Sequence, residues 1–495
     1  MIFADEAADR VSALEKLVET QSKQIEALTR KVQVLEGKET TNSPGRWQLP
    51  MIMIDTNGVP LTPGPRATSV AEVELPTKSA KNLPLLSAGM DGFSMSSADT
   101  NFLLRLRGIL QVDSRTFFND NPLSEGNDGF LIRRARPILE GTIFRDIDFQ
   151  IMPDFAGSSP QLYEAWLNYR YRPEVQLRAG KLRGPVGLEN LLLDSQLLFN
   201  ERSLVTDLVP ARNLGFELWG DIADGAFSYA AGIFNGDGDG RLAPNTDFGD
   251  DKVYGARVFA YPFKTSARPW LNGFGFGIGG SYSQVSSNTL GLPATTGGIV
   301  PGYYSAGQQQ FFAYDPIIGP VVADGPHWRL SPQATYFYGP FGFFFEYAIS
   351  HQGVLNAATL VNEQLEHHAW QLSGMWMLTG EPASLAGITP YRSFDPVNGG
   401  WGAWQIVARY GQLDVDDKAF QGFSNPATSA RGATSWTAGF NWYLSKNFRF
   451  SLSYSHTDFD GGGDFNPYDP VSFVPPATVT HQNENVLFSR LQLAF

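Results

Sequence analysis

Arginine returns at every second position in two early stretches of this chain. Arg105, Arg107 and Arg115 share one parity, and Arg134 and Arg136 share another such row. Alternate residues of an extended strand point to the same face, so each row is a line of guanidinium groups on one side of a sheet. Arg178 and Arg257 extend the pattern into later stretches, with Lys181 and Arg183 close behind Arg178. No paired nucleophile and base accompanies them, so the chemistry on offer is electrostatic. A planar guanidinium donates two parallel hydrogen bonds to an oxyanion. Basic groups along a narrow passage offset the loss of an anion's water, and several modest sites let the ion leave again. Arg105, Arg107, Arg115, Arg134, Arg136, Arg178, Lys181, Arg183 and Arg257 are therefore the candidate substrate-binding residues, with small anions as partners. No catalytic residue, metal or cofactor is expected. Arg133 has the opposite parity to Arg134 and is expected to face away, into a subunit contact. Glu140, Asp148, Asp154, Glu164, Glu217 and Glu346 share the inward parity, so simple ion pairing along a wall is the competing reading.

The elements that must position these bases are strands. Residues 101–495 divide into sixteen alternating segments, near 101–117, 130–145, 147–156, 162–172, 174–183, 212–222, 226–235, 252–262, 274–286, 326–338, 341–351, 366–379, 401–414, 433–444, 447–460 and 481–495. Each is near or above the roughly 9–11 residues that a tilted strand needs to cross a bilayer. The first shows both faces. Leu104, Leu106, Leu110 and Val112 share one, while Arg105, Arg107, Gln111, Asp113 and Arg115 share the other. A face so charged is no dry core, so it lines water. A sheet spanning lipid must close so that no backbone edge meets hydrocarbon. The chain ends in alternating apolar residues, Leu487, Leu491, Leu493 and Phe495, as the last strand of a bacterial outer-membrane barrel does. The expected fold is thus an all-β membrane protein, a sixteen-stranded antiparallel transmembrane β-barrel.

Connections after odd-numbered strands are mostly long (118–129, 184–211, 236–251, 287–325, 352–365, 415–432 and 461–480) and those after even-numbered ones mostly short. Short periplasmic turns and long external loops place both ends of the barrel domain in the periplasm. Two connections on that side, 263–273 and 380–400, are longer than the rule wants.

Before the barrel come two other regions. Val11, Leu14, Val18, Gln21, Ile25, Leu28, Val32 and Leu35 alternate steps of three and four, the heptad spacing of a coiled coil. Residues 1–36 are expected to be a periplasmic N-terminal coiled coil, with a single helix packed on the barrel as the alternative. Residues 37–100 hold seven prolines and read as a linker. The first ten residues show no cationic and apolar leader, so the chain reads as mature. The net charge of −13 argues against nucleic acid, and the absence of cysteine excludes a disulfide framework. Asn235, Asp237, Asp239 and Gly240 imitate the start of a calcium loop, but Thr246 stands where the final glutamate belongs. His367 and His368 are adjacent, which suits a lumen or rim role better than one metal.

The barrel resembles the phosphate-selective porin O and P family of outer-membrane porins. The carrying segments are Phe130-Leu131-Ile132-Arg133-Arg134-Ala135-Arg136, Ala179-Gly180-Lys181-Leu182-Arg183-Gly184-Pro185, Arg212-Asn213-Leu214-Gly215-Phe216, Gly232-Ile233-Phe234-Asn235-Gly236-Asp237 and Asn441-Trp442-Tyr443-Leu444. The resemblance covers essentially all of 101–495 and none of 1–100. It implies a homotrimer in outer-membrane lipid, a third external loop, here 184–211, folded inward to narrow each pore, and an arginine- and lysine-lined passage for phosphate-type anions. Lys181, in the family's Gly-Lys segment, would stand at the constriction. The alternative is a general diffusion porin with weak ion selectivity, whose coiled coil tethers the outer membrane to the cell wall.

Overall fold

The computed structural model describes residues 83–495 except 119–127, 158, 237–238, 241–244, 246–249, 287–299 and 463–482. The heptad segment and most of the proline-rich region lie outside the described residues. A short hairpin comes first, β1 (Leu85–Gly89) and β2 (Gly92–Ser96), within the stretch read as linker. The long strands follow: β3 (Leu103–Phe117), β4 (Gly129–Ile143), β5 (Ile147–Asp154), β6 (Gln161–Arg172), β7 (Val175–Leu182), β8 (Asn213–Ile222), β9 (Phe227–Asn235), β10 (Lys252–Ala260) and β11 (Phe274–Val285). After a small hairpin, β12 (Gly302–Tyr304) and β13 (Gln310–Ala313), come β14 (Val321–Tyr338), β15 (Phe341–Asn356), β16 (Val361–Met377), β17 (Ala403–Asp414), β18 (Gly432–Tyr443), β19 (Phe448–Asp460) and β20 (Glu484–Ala494).

Each long strand pairs antiparallel with the next, and β20 returns to pair with β3, so the sheet of sixteen closes on itself. The sixteen expected strands are these sixteen. At the seam Gly108 and Phe495 exchange backbone hydrogen bonds of 3.0 and 3.1 Å. A side chain at Gly108 would stand 3.1 Å from the Phe495 ring, so the last aromatic residue rests on a glycine.

Alternation decides the two surfaces. Leu110 and Val112 on β3 pair with Leu493 and Leu491 on β20, and all four are exposed on the outer face. Between them Gln111, Asp113, Arg490 and Gln492 are buried on the inner face. Aromatic residues gather at the short-turn end, where Phe341 stacks on Trp376 and Trp404 on Trp442, as a membrane-interface girdle does.

Two departures from the expected boundaries have physical causes. β3 is 15 residues long, and β20 pairs only with Ile109–Phe117. The remaining edge, Leu103–Leu106, is taken by β2, which leaves no bare edge there. Gly92 makes that possible, because its φ of 85° and the carbonyl of Leu106, 2.5 Å from any added Cβ, exclude other residues. The expected loop 352–365 is mostly strand, with only four residues between β15 and β16. Val354 and Leu365, which looked like loop residues, are fully buried in an internal apolar cluster.

The barrel's interior is not empty. At the long-loop end Tyr303, Phe311 and Phe312 of the small hairpin pack with Val205 and Leu208 of a 3-10 helix, Leu204–Leu208, and with Phe423 of the connection after β17. At the other end Ala383 and Ile388, from the long connection between β16 and β17, pack with Leu198 and Phe199.

Candidate functional site

The connection between β7 and β8 runs through the interior. Its order comes from the wall, strand by strand. Gln111 on β3 donates to the Asp194 carbonyl at 3.1 Å, and Gln492 on β20 donates to that of Ser195 at 3.0 Å. Arg449 on β19 donates to Leu197 O at 2.9 Å, and Asn441 on β18 to Leu198 O at 2.9 Å. Arg409 on β17 reaches Glu201 O at 3.1 Å. Glu346 on β15 accepts from the backbone nitrogens of Leu188 and Glu189, and Gln371 on β16 donates to the Glu189 carboxylate at 3.0 Å. Buried backbone groups need such partners, and here inward amides and arginines supply them. Of these wall amides, Gln111 already stood on the inward face in the sequence pattern, whereas the uncharged Gln371, Asn441 and Gln492 were not among the expected site residues. Their signal was present in the sequence as polar residues at inward parity.

Two carboxylates of this connection organise the bases. Asp194 stands within 4 Å of five guanidinium groups: Arg134 at 3.3 Å, Arg202 at 2.7 Å, Arg212 at 3.5 Å, Arg183 at 3.6 Å, and Arg136 in a short contact. Burial alone would push the Asp194 carboxyl up, but Arg202, Arg134, Arg136 and Arg212 outweigh it and hold the group well below the ordinary carboxylate range. Glu201 takes Arg133 at 2.6 Å, Arg115 at 3.0 Å and Arg490 at 3.9 Å. Its burial is likewise outweighed, by Arg133 first, and its carboxyl is strongly depressed. Arg490 also forks onto Asp113 with two bonds of 2.6 Å, Arg136 pairs with Asp154 at 2.6 Å, and Glu164 holds Arg183 and Arg212 at 3.1 Å each. The Tyr163 ring lies beneath both Arg136 and Arg212. In this network eight arginines meet five carboxylates, which leaves a surplus of three positive charges.

Of the expected site residues, Arg115, Arg134, Arg136 and Arg183 belong to this network. Arg105 and Arg107 do not: they stand at the short-turn end, half exposed, and share Glu140 at 3.8 and 3.3 Å. Arg178 and Arg257 line a separate cavity below the connection. Lys181 is a correction. It pairs in register with Ala165 and Leu214, and its neighbour Leu182 packs inward with Phe234 and Val253. It therefore has outward parity, yet it is buried, and its ammonium donates to Asn245 at 3.0 Å instead of standing on the strand face that carries Arg178. Arg133 is the opposite correction. The register slips between Gln111 and Val112, so that Arg134 faces Gln111 and Ile132 faces Val112, with Arg133 left over as a bulge. A bulge re-aims a side chain, and Arg133 turns inward to bind Glu201 through two bonds of 2.6 and 2.9 Å.

The weaker signals resolve as well. Asp239 accepts hydrogen bonds from Arg329 and Ser350, and Asp237 and Thr246 lie outside the described residues. No cluster of metal-ligating side chains is present among the described residues. His367 is buried at the long-loop end, where Tyr314 meets its Nε2 at 2.7 Å, while His368 is on the other face with Tyr347.

A closed antiparallel barrel, apolar outside, polar within, and crossed by a connection bonded to its inner wall, defines an outer-membrane porin. Such a protein is a channel and not an enzyme. Residues 104–466 match the family described as phosphate-selective porin O and P, and the chain belongs to that family. It is 27% identical over 399 residues to Porin O of Pseudomonas aeruginosa, covering 73% of this chain and 84% of that one. Among solved structures it is similar to the outer membrane channel DcaP of Acinetobacter baumannii, at 12% identity, with a TM-score of 0.48 over 80% of this chain and 98% of that chain. It is also similar to an anion-selective porin from Comamonas acidovorans, at 11% identity, with a TM-score of 0.48 over 80% of this chain and all of that chain.

Proposed function

We propose that this porin passes small anions, phosphate among them, by diffusion through a passage narrowed by the inward connection between β7 and β8. The observation that carries this reading is the surplus of three positive charges where that connection meets the wall. Low-dielectric walls focus such a surplus and raise the local concentration of anions. The deepest guanidinium groups, on Arg134, Arg212 and Arg490, supply field and not contact, since their side chains are almost wholly buried. Contact falls to the partly exposed ones, Arg133 and Arg115.

A second reading has its own support. Most of these arginines are engaged by carboxylates, as they would be in a general diffusion porin of weak selectivity. The two separate in a planar bilayer. A reversal potential displaced towards the chloride potential in a potassium chloride gradient, with the current reduced by added phosphate, supports the anion pathway. A potential near zero and no response to phosphate supports the general pore.

The assembly we infer is a homotrimer, its N-terminal heptads bundled in the periplasm. The chain has no cysteine, so a Leu28→Cys variant treated with a three-armed maleimide reports on this directly. A three-chain product supports the inference, and products no larger than two chains refute it. A variant lacking residues 1–36 that conducts normally while the envelope detaches would assign the coil to cell-wall tethering.

A further inference from the structure

We propose that the cavity below the inward connection, among β6, β7, β8 and β10, binds organic monoanions with a flat apolar body, of which an aromatic carboxylate is the simplest. The proposal rests on the anion-conducting reading and names a substrate class for it.

The cavity has a volume of about 370 Å³, at the lower end of the roughly 300–1,000 Å³ usual for small-molecule sites. Its centre is Arg178, whose guanidinium carbon is 4.8 Å from the Trp166 ring and 4.7 Å from the Trp219 ring. The arrangement follows from register. Arg178 pairs with Asn168 and Glu217, which places Trp166 on β6 and Trp219 on β8 as its diagonal neighbours at the same inward parity. Trp166 itself faces Gly180, where an added Cβ would be 2.2 Å from the Ala165 carbonyl, so no side chain on β7 fills the space opposite this indole.

The polar groups are under-used. Arg178 has no hydrogen-bonding partner among the described residues. Among the described residues its one ion pair is with Glu217 at 4.0 Å, and its buried Nε meets no acceptor there. Among the described residues Arg257 is hydrogen-bonded through Nε, to Gln333 at 3.0 Å, with its face over Phe259. Both guanidinium groups thus keep their terminal N–H pairs, which suit a carboxylate. The other charged pair on the wall, Arg183 and Glu164, is closed at 3.1 Å. Asp221 also lines the cavity, so Arg178, Arg183 and Arg257 balance Glu164, Glu217 and Asp221. An anion is held there by the unused terminal N–H groups and not by a net charge, and a single carboxylate adds the least unbalanced charge.

The remaining lining selects the body of the ligand. Leu191 and Leu193 of the inward connection cover the cavity beside the two indoles. A strongly hydrated inorganic dianion would lose water to these apolar walls without a matching charge. A ring bearing one carboxylate gains contact with the indoles and releases their water. The cavity therefore differs from the Asp194 network, where guanidinium groups are buried and already paired.

The test uses the full chain in planar bilayers, with benzoate or acetate added on the short-turn side of the barrel while chloride current is recorded. Both probes carry one carboxylate, so only the ring differs. Benzoate is expected to block at a concentration at least about tenfold below acetate, and the acetate-to-benzoate ratio is expected to fall by about tenfold in Trp219→Leu and in Trp166→Leu. The ratio cancels any change in conductance caused by the substitutions. Equal block by the two probes on the unaltered protein overturns the proposal, and so does a ratio that survives both substitutions. The reversal potential in a potassium chloride gradient, measured on the same channels, reports separately on the anion-conducting reading.

Discussion

Replacing Asp194 by asparagine removes one negative charge from the centre of five guanidinium groups and little else. The volume is kept, and one oxygen remains to accept from Arg202, now 2.7 Å away. The new amide donors, however, point at Arg136, Arg183 and Arg212, which are donors themselves. Three of the five arginines retain a carboxylate: Arg136 has Asp154, and Arg183 and Arg212 have Glu164. Arg134 and Arg202 retain none, since each pairs with no other carboxylate among the described residues. Both are nearly buried, and breaking a buried pair by removing one partner costs about 3–5 kcal/mol because the stranded charge stays out of water. Denaturant unfolding in micelles, followed by tryptophan fluorescence, should show that loss as a lower midpoint at unchanged slope. Trypsin gives a second reading, because Arg202 should become cleavable once its partner is gone. A stability change under about 1 kcal/mol, the range of an exposed pair, together with a loop still resistant to trypsin, would refute the role assigned to Asp194.

Further outcomes follow from the same geometry. Asp207, in the 3-10 helix, is pushed well above the ordinary carboxylate range, first by burial and then by the charge of Asp239, against the pull of the Tyr304 N–H. The folded protein therefore holds a proton there that the unfolded chain has released, so stability should decline as pH rises above about 4, and Asp207→Asn should remove that decline. Asp194 and Glu201 act with the opposite sign: their contribution is present above about pH 4 and is lost as pH falls further, which acid unfolding of the parent should show. Arg133→Cys should react with a charged, water-soluble thiol reagent applied to the open channel, and labelling only by a lipid-soluble reagent would contradict its inward turn at the bulge. Phe199→Ala should cost about 3–5 kcal/mol and Ile388→Ala about 2–5 kcal/mol. Because both lie in one apolar cluster, the double variant should depart from additivity by at least about 0.5 kcal/mol, and strict additivity would show that the β16–β17 connection does not support the inward loop.

Strand number, strand order and most facing directions were legible because a period of two is a local property. Leu104 and Leu106 against Gln111 and Asp113 state the two solvents of the wall without reference to any distant residue. Lys181 was legible too: three residues from Arg178, it has the opposite parity. The β1–β2 hairpin was hidden because its partner edge exists only where β20 stops short of the start of β3.

What the sequence determined by itself is the periodic part, a closed barrel of sixteen strands with arginine turned towards water. What only the tertiary structure decided is where those charges go. Asp194 and Glu201 lie in a connection with no repeat, so nothing local says that they meet arginines from β3, β4 and β20. Arg133 reverses its expected direction through one extra residue in a ladder, a defect visible only when both strands are paired. Arg178 stands between two indoles because three separate strands bring inward positions to one level. Periodicity assigns a face, whereas pairing distances depend on closure of the whole sheet and on the loop that its interior holds in place.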